Sequence, residues 1–165
     1  MLDTKNAFTV TAWVKLTGTT VSGPVTAVSA DGPGGSGFLL QYRTDLDQNG
    51  DAVPDPAWCF TMAAGDGGTE SRACSTQSAG TAWVHLAGVH DQASGRIRLY
   101  VNGDNFDDTD VASFTGAWSA NEGWAVGRAK RSGVPAQFWP GAVDRVAAYQ
   151  RALTQGEISF DRSQA

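Results

Sequence analysis

The sequence predicts an all-β chain, an antiparallel β-sandwich, and three of its features carry that expectation. Residues 81–91 and 95–103 read as two strands with a short turn at each junction. In the second, Ile97, Leu99 and Val101 alternate with Arg98, Tyr100 and Asn102, so one face is apolar, and Asn102-Gly103 offers the positive φ values of a tight hairpin turn. The 20 Gly and 6 Pro are spread along the chain with no helical apolar pattern, which suits many short strands joined by turns. At 165 residues, 41% hydrophobic and 10% aromatic, the whole of 1–165 is expected to fill one core as one domain.

Taken in order, the first strand is 8–16. Phe8, Val10, Ala12, Val14 and Leu16 share a face that should turn inward, while Thr9, Thr11, Trp13 and Lys15 share the other. Trp13 is then either covered by a loop or partly exposed on the outside of a sheet, where an aromatic can hold a ligand. Further strands are expected at 25–30, 37–43, 58–63, 123–128 and 142–149, separated by clusters of Gly, Pro, Asp and Asn. Cys59 and Cys74 flank a Gly-rich polar stretch, 64–71, that reads as a hairpin loop. A disulfide joining neighbouring strands is the simplest pairing, and it would imply an oxidising, extracellular setting; two buried free thiols is the alternative. Near the end, Thr154 with Glu157 three residues on matches a capping box and should start a short helical turn.

Several functional classes lose support from composition. The net charge is −5 and the 12 Lys and Arg are scattered, so the basic footprint of a nucleic-acid binder is absent. No stretch approaches the roughly 20 apolar residues a membrane-spanning helix needs, so membrane insertion is not expected. The start, Met1 to Lys5, lacks the apolar core of a signal peptide, and the chain is expected to be a module of something longer. Glycosidase carboxylates in the pattern E-x-D-x-x-E are missing: Glu70, Glu122 and Glu157 stand apart. His85 and His90 belong to one strand, no G-x-S-x-G elbow occurs, and His85 reads as a satisfied structural histidine.

Four phrases, 8–16, 82–91, 96–103 and 139–158, together resemble the laminin G-like, concanavalin A-like jelly-roll modules of bacterial extracellular proteins, in the family's order and over most of the chain. The resemblance implies two antiparallel sheets packed face to face, and a module, extracellular or at the cell surface, that binds carbohydrate or protein and often carries calcium. Only seven residues precede Phe8, fewer than such modules usually have, so one sheet edge is expected to be open or to be completed by other domains of the parent protein or by a partner. Gln137, and Arg145 after Asp144, stand where similar modules often carry acids.

The sharpest chemical motif is the loop 45–55. Asp45, Asp47 and Asn49 occupy the first, third and fifth positions of a D-x-[DN]-x-[DN]-G calcium loop, and Gly50 supplies the turn. Asp51 could add its carbonyl and Asp55 a late carboxylate, but Pro56 stands where the bidentate Glu of an EF-hand would be, so bound calcium and a solvated acidic turn are both open. A second acidic group, Asp104, Asp107, Asp108 and Asp110, lacks the glycine and reads as a hydrated loop. Of six Trp, Trp13 and Trp83 read as strand-packing residues, and Trp58 as a cover for the disulfide. Trp118 and Trp139 lie near turns and, with Tyr42, are the candidates to stack a sugar. The expected function is a non-catalytic glycan-binding module, with a structural or adhesion module contacting protein as the alternative.

Overall fold

The computed structural model describes residues 2–18, 20–76, 79–104 and 111–164. Its elements are β1 (Phe8–Leu16), β2 (Val25–Asp31), β3 (Ser36–Arg43), β4 (Ala57–Ala63), β5 (Glu70–Cys74), β6 (Val84–Asp91), β7 (Arg96–Val101), β8 (Val111–Ser113), β9 (Gly123–Val126), β10 (Ala129–Arg131), β11 (Val134–Ala136), β12 (Gly141–Tyr149) and α1 (Gln155–Ser163). One sheet runs β12-β1-β6-β7-β8 and the other β5-β4-β3-β2-β9, with every neighbouring pair antiparallel. The chain therefore forms the two-sheet antiparallel sandwich that its alternating strands predict.

The parity of β1 holds. Phe8, Val10, Ala12, Val14 and Leu16 are all fully buried between the sheets, where they meet Phe38 and Leu40 from β3 and Phe60 and Met62 from β4. Rings of Phe8, Phe38 and Phe60 lie 5.2–6.1 Å apart, an aromatic cluster that joins the sheets near the middle of the core. Gly88 on β6 faces this cluster; a Cβ there would sit 2.3 Å from the Phe60 ring, so close packing of the two sheets depends on its missing side chain. After β7, Asn102 and Gly103 adopt φ of 54° and 82°, and Val101 and Asp104 exchange backbone hydrogen bonds across them, the expected tight turn. Asp107, Asp108 and Asp110 lie outside the described residues.

Each sheet also has an outer face, and the two are covered differently. On the second sheet Thr26, Ser29, Gln41 and Thr61 are fully buried because the β10–β11 hairpin lies over β2 and β3. Their polar groups are satisfied by that cover: the Lys130 N–H donates to Ser36 Oγ, and Gln137 Oε1 accepts from Thr26 Oγ1 and Gln41 Nε2. On the first sheet the cover is α1. Thr154 caps it, its hydroxyl accepting from the Glu157 N–H while the Glu157 carboxylate accepts from the Thr154 N–H, and Ile158 is buried among Ala87, Val89, Tyr100 and Leu153. No helix among the described residues is long and apolar enough to cross a membrane.

Cys59 and Cys74 are register partners on β4 and β5 and form a disulfide, with a Cα–Cα distance of 4.2 Å. Trp58 does not cover it. Strand alternation turns Trp58 into the core, where it packs against Tyr42 and Trp139, and turns Cys59 to the opposite face.

Candidate functional site

The helix covers only part of the outer face of the first sheet. Register across β12, β1 and β6 lays that face out in rows: Tyr149, Thr9 and Val89; then Ala147, Thr11 and Ala87; then Asp144, Trp13 and His85; then Ala142 and Lys15, with Trp83 just before the start of β6. The helix sits over Val89 and Ala87. Trp13, Trp83, Asp144 and Arg145 in the last two rows line a shallow cleft of about 330 Å³.

The backbone shapes this cleft. Between Thr11 and Trp13 the pairing with β12 slips, and Arg145 absorbs the extra residue at φ 48°, a bulge that swings Asp144 and Arg145 onto the surface. The Asp144 carboxylate accepts the Arg145 N–H at 2.8 Å, and the Arg145 guanidinium donates to the Gln164 carbonyl at the end of α1 at 2.6 Å. Trp83 is 42% exposed, whereas Trp13 is half-buried. Parity puts Trp13 on the outer face, as its strand pattern predicts, and it packs there against His85, whereas Trp83, expected to serve strand packing, is exposed.

His85 forms the floor behind Trp13, their rings 5.3 Å apart. Its Nε2 is 3.3 Å from Asp161 Oδ2 of α1, and Tyr149 donates a short hydrogen bond to the other oxygen of the same carboxylate, so Asp161 pins the helix to the sheet. Burial pushes the His85 pKa down, more strongly than the Asp161 carboxylate pulls it up. Its Nδ1 has no partner, and neither do Trp13 Nε1 and Thr11 Oγ1 nearby, although all three atoms are buried. His85 is thus only half satisfied, and hydrogen-bonding capacity is left unused in this one patch of the sheet.

The residues expected to stack a sugar are placed elsewhere. Tyr42 is 2% exposed and lies between the sheets against Trp58. Trp139 is 9% exposed, packs on the other side of Trp58, and donates its Nε1 hydrogen to the Ala142 carbonyl. Trp118 is half-buried, its ring filling the space at Gly32 and its Nε1 donating to the Ala63 carbonyl. All three are packing residues, and the structure does not bring them together. The signal for Trp13 was available in the parity of β1; Trp83 had none beyond its place at a strand entrance.

The acidic loop does not gather its oxygens. Both Asp45 oxygens take the Arg43 guanidinium, at 3.0 and 2.6 Å. Asp47 accepts the Gly50 and Ala52 N–H groups, Asn49 that of Asp51, Asp51 that of Val53, and Asp55 that of Gln48. The loop is a run of side-chain-to-backbone turns. Among the described residues no three His, Cys, Asp or Glu side chains are placed to hold a metal ion, so this geometry does not fit the six to eight oxygens calcium requires.

Fold and surface together define a concanavalin A-like jelly roll with an open aromatic cleft. The laminin G model described as the concanavalin A-like lectin/glucanases superfamily matches residues 1–159, and the chain belongs to that family. Among solved structures it is similar to the native heptameric SAP-like pentraxin from Limulus polyphemus, at 16% identity and a TM-score of 0.66 over 96% of this chain and 70% of that one. It is also similar to the CBM40 module of the Ruminococcus gnavus IT-sialidase, at 14% identity and a TM-score of 0.69 over 95% and 83%. A third likeness, the binding domain of botulinum neurotoxin serotype G, has 10% identity and a TM-score of 0.69, and the chain spans 37% of that structure's length. No curated protein matches the chain.

Proposed function

We propose that the chain is a non-catalytic, extracellular recognition module that binds a glycan in the cleft of Trp13, Trp83, Asp144 and Arg145. The observation that carries this reading is the pairing of a 42% exposed indole with a half-buried one on the only half of the outer sheet that α1 leaves open, among the described residues. The C–H face of a pyranose can lie on the electron-rich face of Trp83, while Asp144 accepts hydrogen bonds from ring hydroxyls. Such a site is concave, mostly apolar and furnished with a few polar groups, as binding sites for small polar ligands are.

Family membership supports the reading, and so does the likeness to a carbohydrate-binding module solved with α2,3-sialyllactose, at 15% identity and a TM-score of 0.67. The disulfide favours an oxidising compartment. Hydrolysis is disfavoured because glycosidic cleavage takes two carboxylates flanking one bond, and among the described residues Asp144 is the one carboxylate lining the cleft. Glu70, Glu122 and Glu157 are each ion-paired elsewhere.

The test is a glycan array read with the parent protein and with Trp83→Ala. A subset of glycans should be retained, and the variant should bind them at least about ten-fold more weakly with an unchanged unfolding midpoint. An array with no retained glycan would sink the proposal; retention untouched by the substitution would move the site away from this cleft.

A further inference from the structure

Trp83 walls a second hollow. On its far side from Trp13 lies a depression of about 560 Å³ lined by Lys15, Thr17, Thr81, Gly141 and Ala142. The two hollows follow from strand geometry: Trp13 and Lys15 point outward two residues apart on β1, about 7 Å along the strand. Ala142 lies beside Lys15 as Asp144 lies beside Trp13. Position 141 admits no side chain, since a Cβ there would sit 1.9 Å from the Lys15 carbonyl oxygen, so the backbones of β1 and β12 lie close together beside this hollow.

The hollows differ in charge. In the first, the Arg145 guanidinium is tied to the Gln164 carbonyl, whereas the exposed Asp144 carboxylate repels an anion. In the second, Lys15 is exposed and forms no salt bridge with any described residue, although Asp144 is a diagonal neighbour across the β1–β12 pair. Thr17 and Thr81 add hydroxyls beside it. A ligand filling both hollows meets hydrogen-bond acceptance at one end, an indole wall in the middle and, at the other, an ammonium that pairs with no carboxylate among the described residues.

Building on the glycan reading above, we infer that the ligand is an acidic oligosaccharide of at least two sugars. A neutral ring occupies the Trp13–Trp83 hollow, and a carboxylate- or sulfate-bearing sugar lies beside Lys15. A single sugar fills one hollow and forgoes either the stacking or the ion pair, so monosaccharides bind weakly. The charged contact also makes affinity depend on salt, although the protein as a whole is anionic.

The experiment is an array carrying neutral oligosaccharides beside sialylated, uronate-containing and sulfated ones, and the corresponding free monosaccharides as competitors, read with the parent, Lys15→Gln and Trp83→Ala. Retained glycans should be acidic and at least disaccharides. Lys15→Gln should weaken them about ten-fold and flatten their salt dependence, as expected for loss of one charge-assisted contact. If neutral glycans are retained equally well, or Lys15→Gln binds like the parent while Trp83→Ala does not, this inference is overturned and glycan recognition stands. If no glycan is retained, both fall.

Discussion

Trp13 and Trp139 carry the same side chain, and their surroundings give them opposite tasks. Trp13 follows the strict alternation of β1, so its position is settled by whichever face of that strand is oily. Trp139 follows Gln137, whose φ of 53° bends the chain back and drops the indole into the core against Trp58. Alternation says nothing about a residue outside a strand, which is why the roles of the loop aromatics stay open in the sequence while the outward side of Trp13 is legible. The acidic loop teaches the same lesson. Its spacing satisfies a calcium motif, yet spacing cannot tell whether carboxylates converge on a point or fold back onto their own N–H groups, and here they fold back. Titration with calcium is therefore expected to release no heat. Heat that disappears in Asp45→Ala/Asp47→Ala would instead mean that the loop reorganises around the ion at the expense of the Arg43 pair.

At the scale of elements, the long strands could be read and the three-residue ones could not. Strands β1, β3, β4 and β12 run seven to nine residues, enough for an alternation to stand out; β8, β10 and β11 have three each, too few to show any period. The β10–β11 hairpin nevertheless decides which outer face is available, because it closes the second sheet. Its one local sign is Ser132-Gly133, whose φ values of 50° and 78° form a tight turn. The disulfide acts on another short piece, β5, which lies at the edge of its sheet and, among the described residues, has β4 as its one strand neighbour. Tying Cys74 to Cys59 removes freedom from the unfolded chain on either side of a 15-residue separation. Cys59→Ala/Cys74→Ala should therefore cost about 3 kcal/mol in urea unfolding. An unchanged midpoint would mean that the backbone ladder and the pairing of Glu70 with Arg72 and Arg131 hold β5 unaided.

The whole molecule is built around two histidines that it keeps away from water, one on each side of β6. His85 faces outward beneath Trp13 and α1, and His90 faces inward between Phe8 and Phe114. Burial lowers both pKa values below the usual 6.5; the Asn6 carbonyl, 2.9 Å from His90 Nδ1, and the Asp161 carboxylate at His85 offset this only in part. Because the folded values are depressed, the unfolded chain takes up these protons first as pH falls. Their contribution is complete above about pH 6.5 and is lost progressively below it. Asp91 acts in a lower window: hydrogen bonds from Ser94 and Arg98 lower its pKa from 3.8 to about 2, so what it contributes holds above about pH 4 and disappears as pH falls through 2. Acid should thus weaken the sandwich in two stages, histidines first. Urea midpoints are expected to be level from pH 8 to 7, to decline from pH 6.5 to 5, and to decline less in His90→Gln when each curve is compared with its own value at pH 8. A parent curve that stays level to pH 5 would mean that neither imidazole loses its proton on folding. His85 would then carry a charge beneath Trp13 below about pH 6.5, and the proposed cleft would be expected to change its ligand affinity over that range.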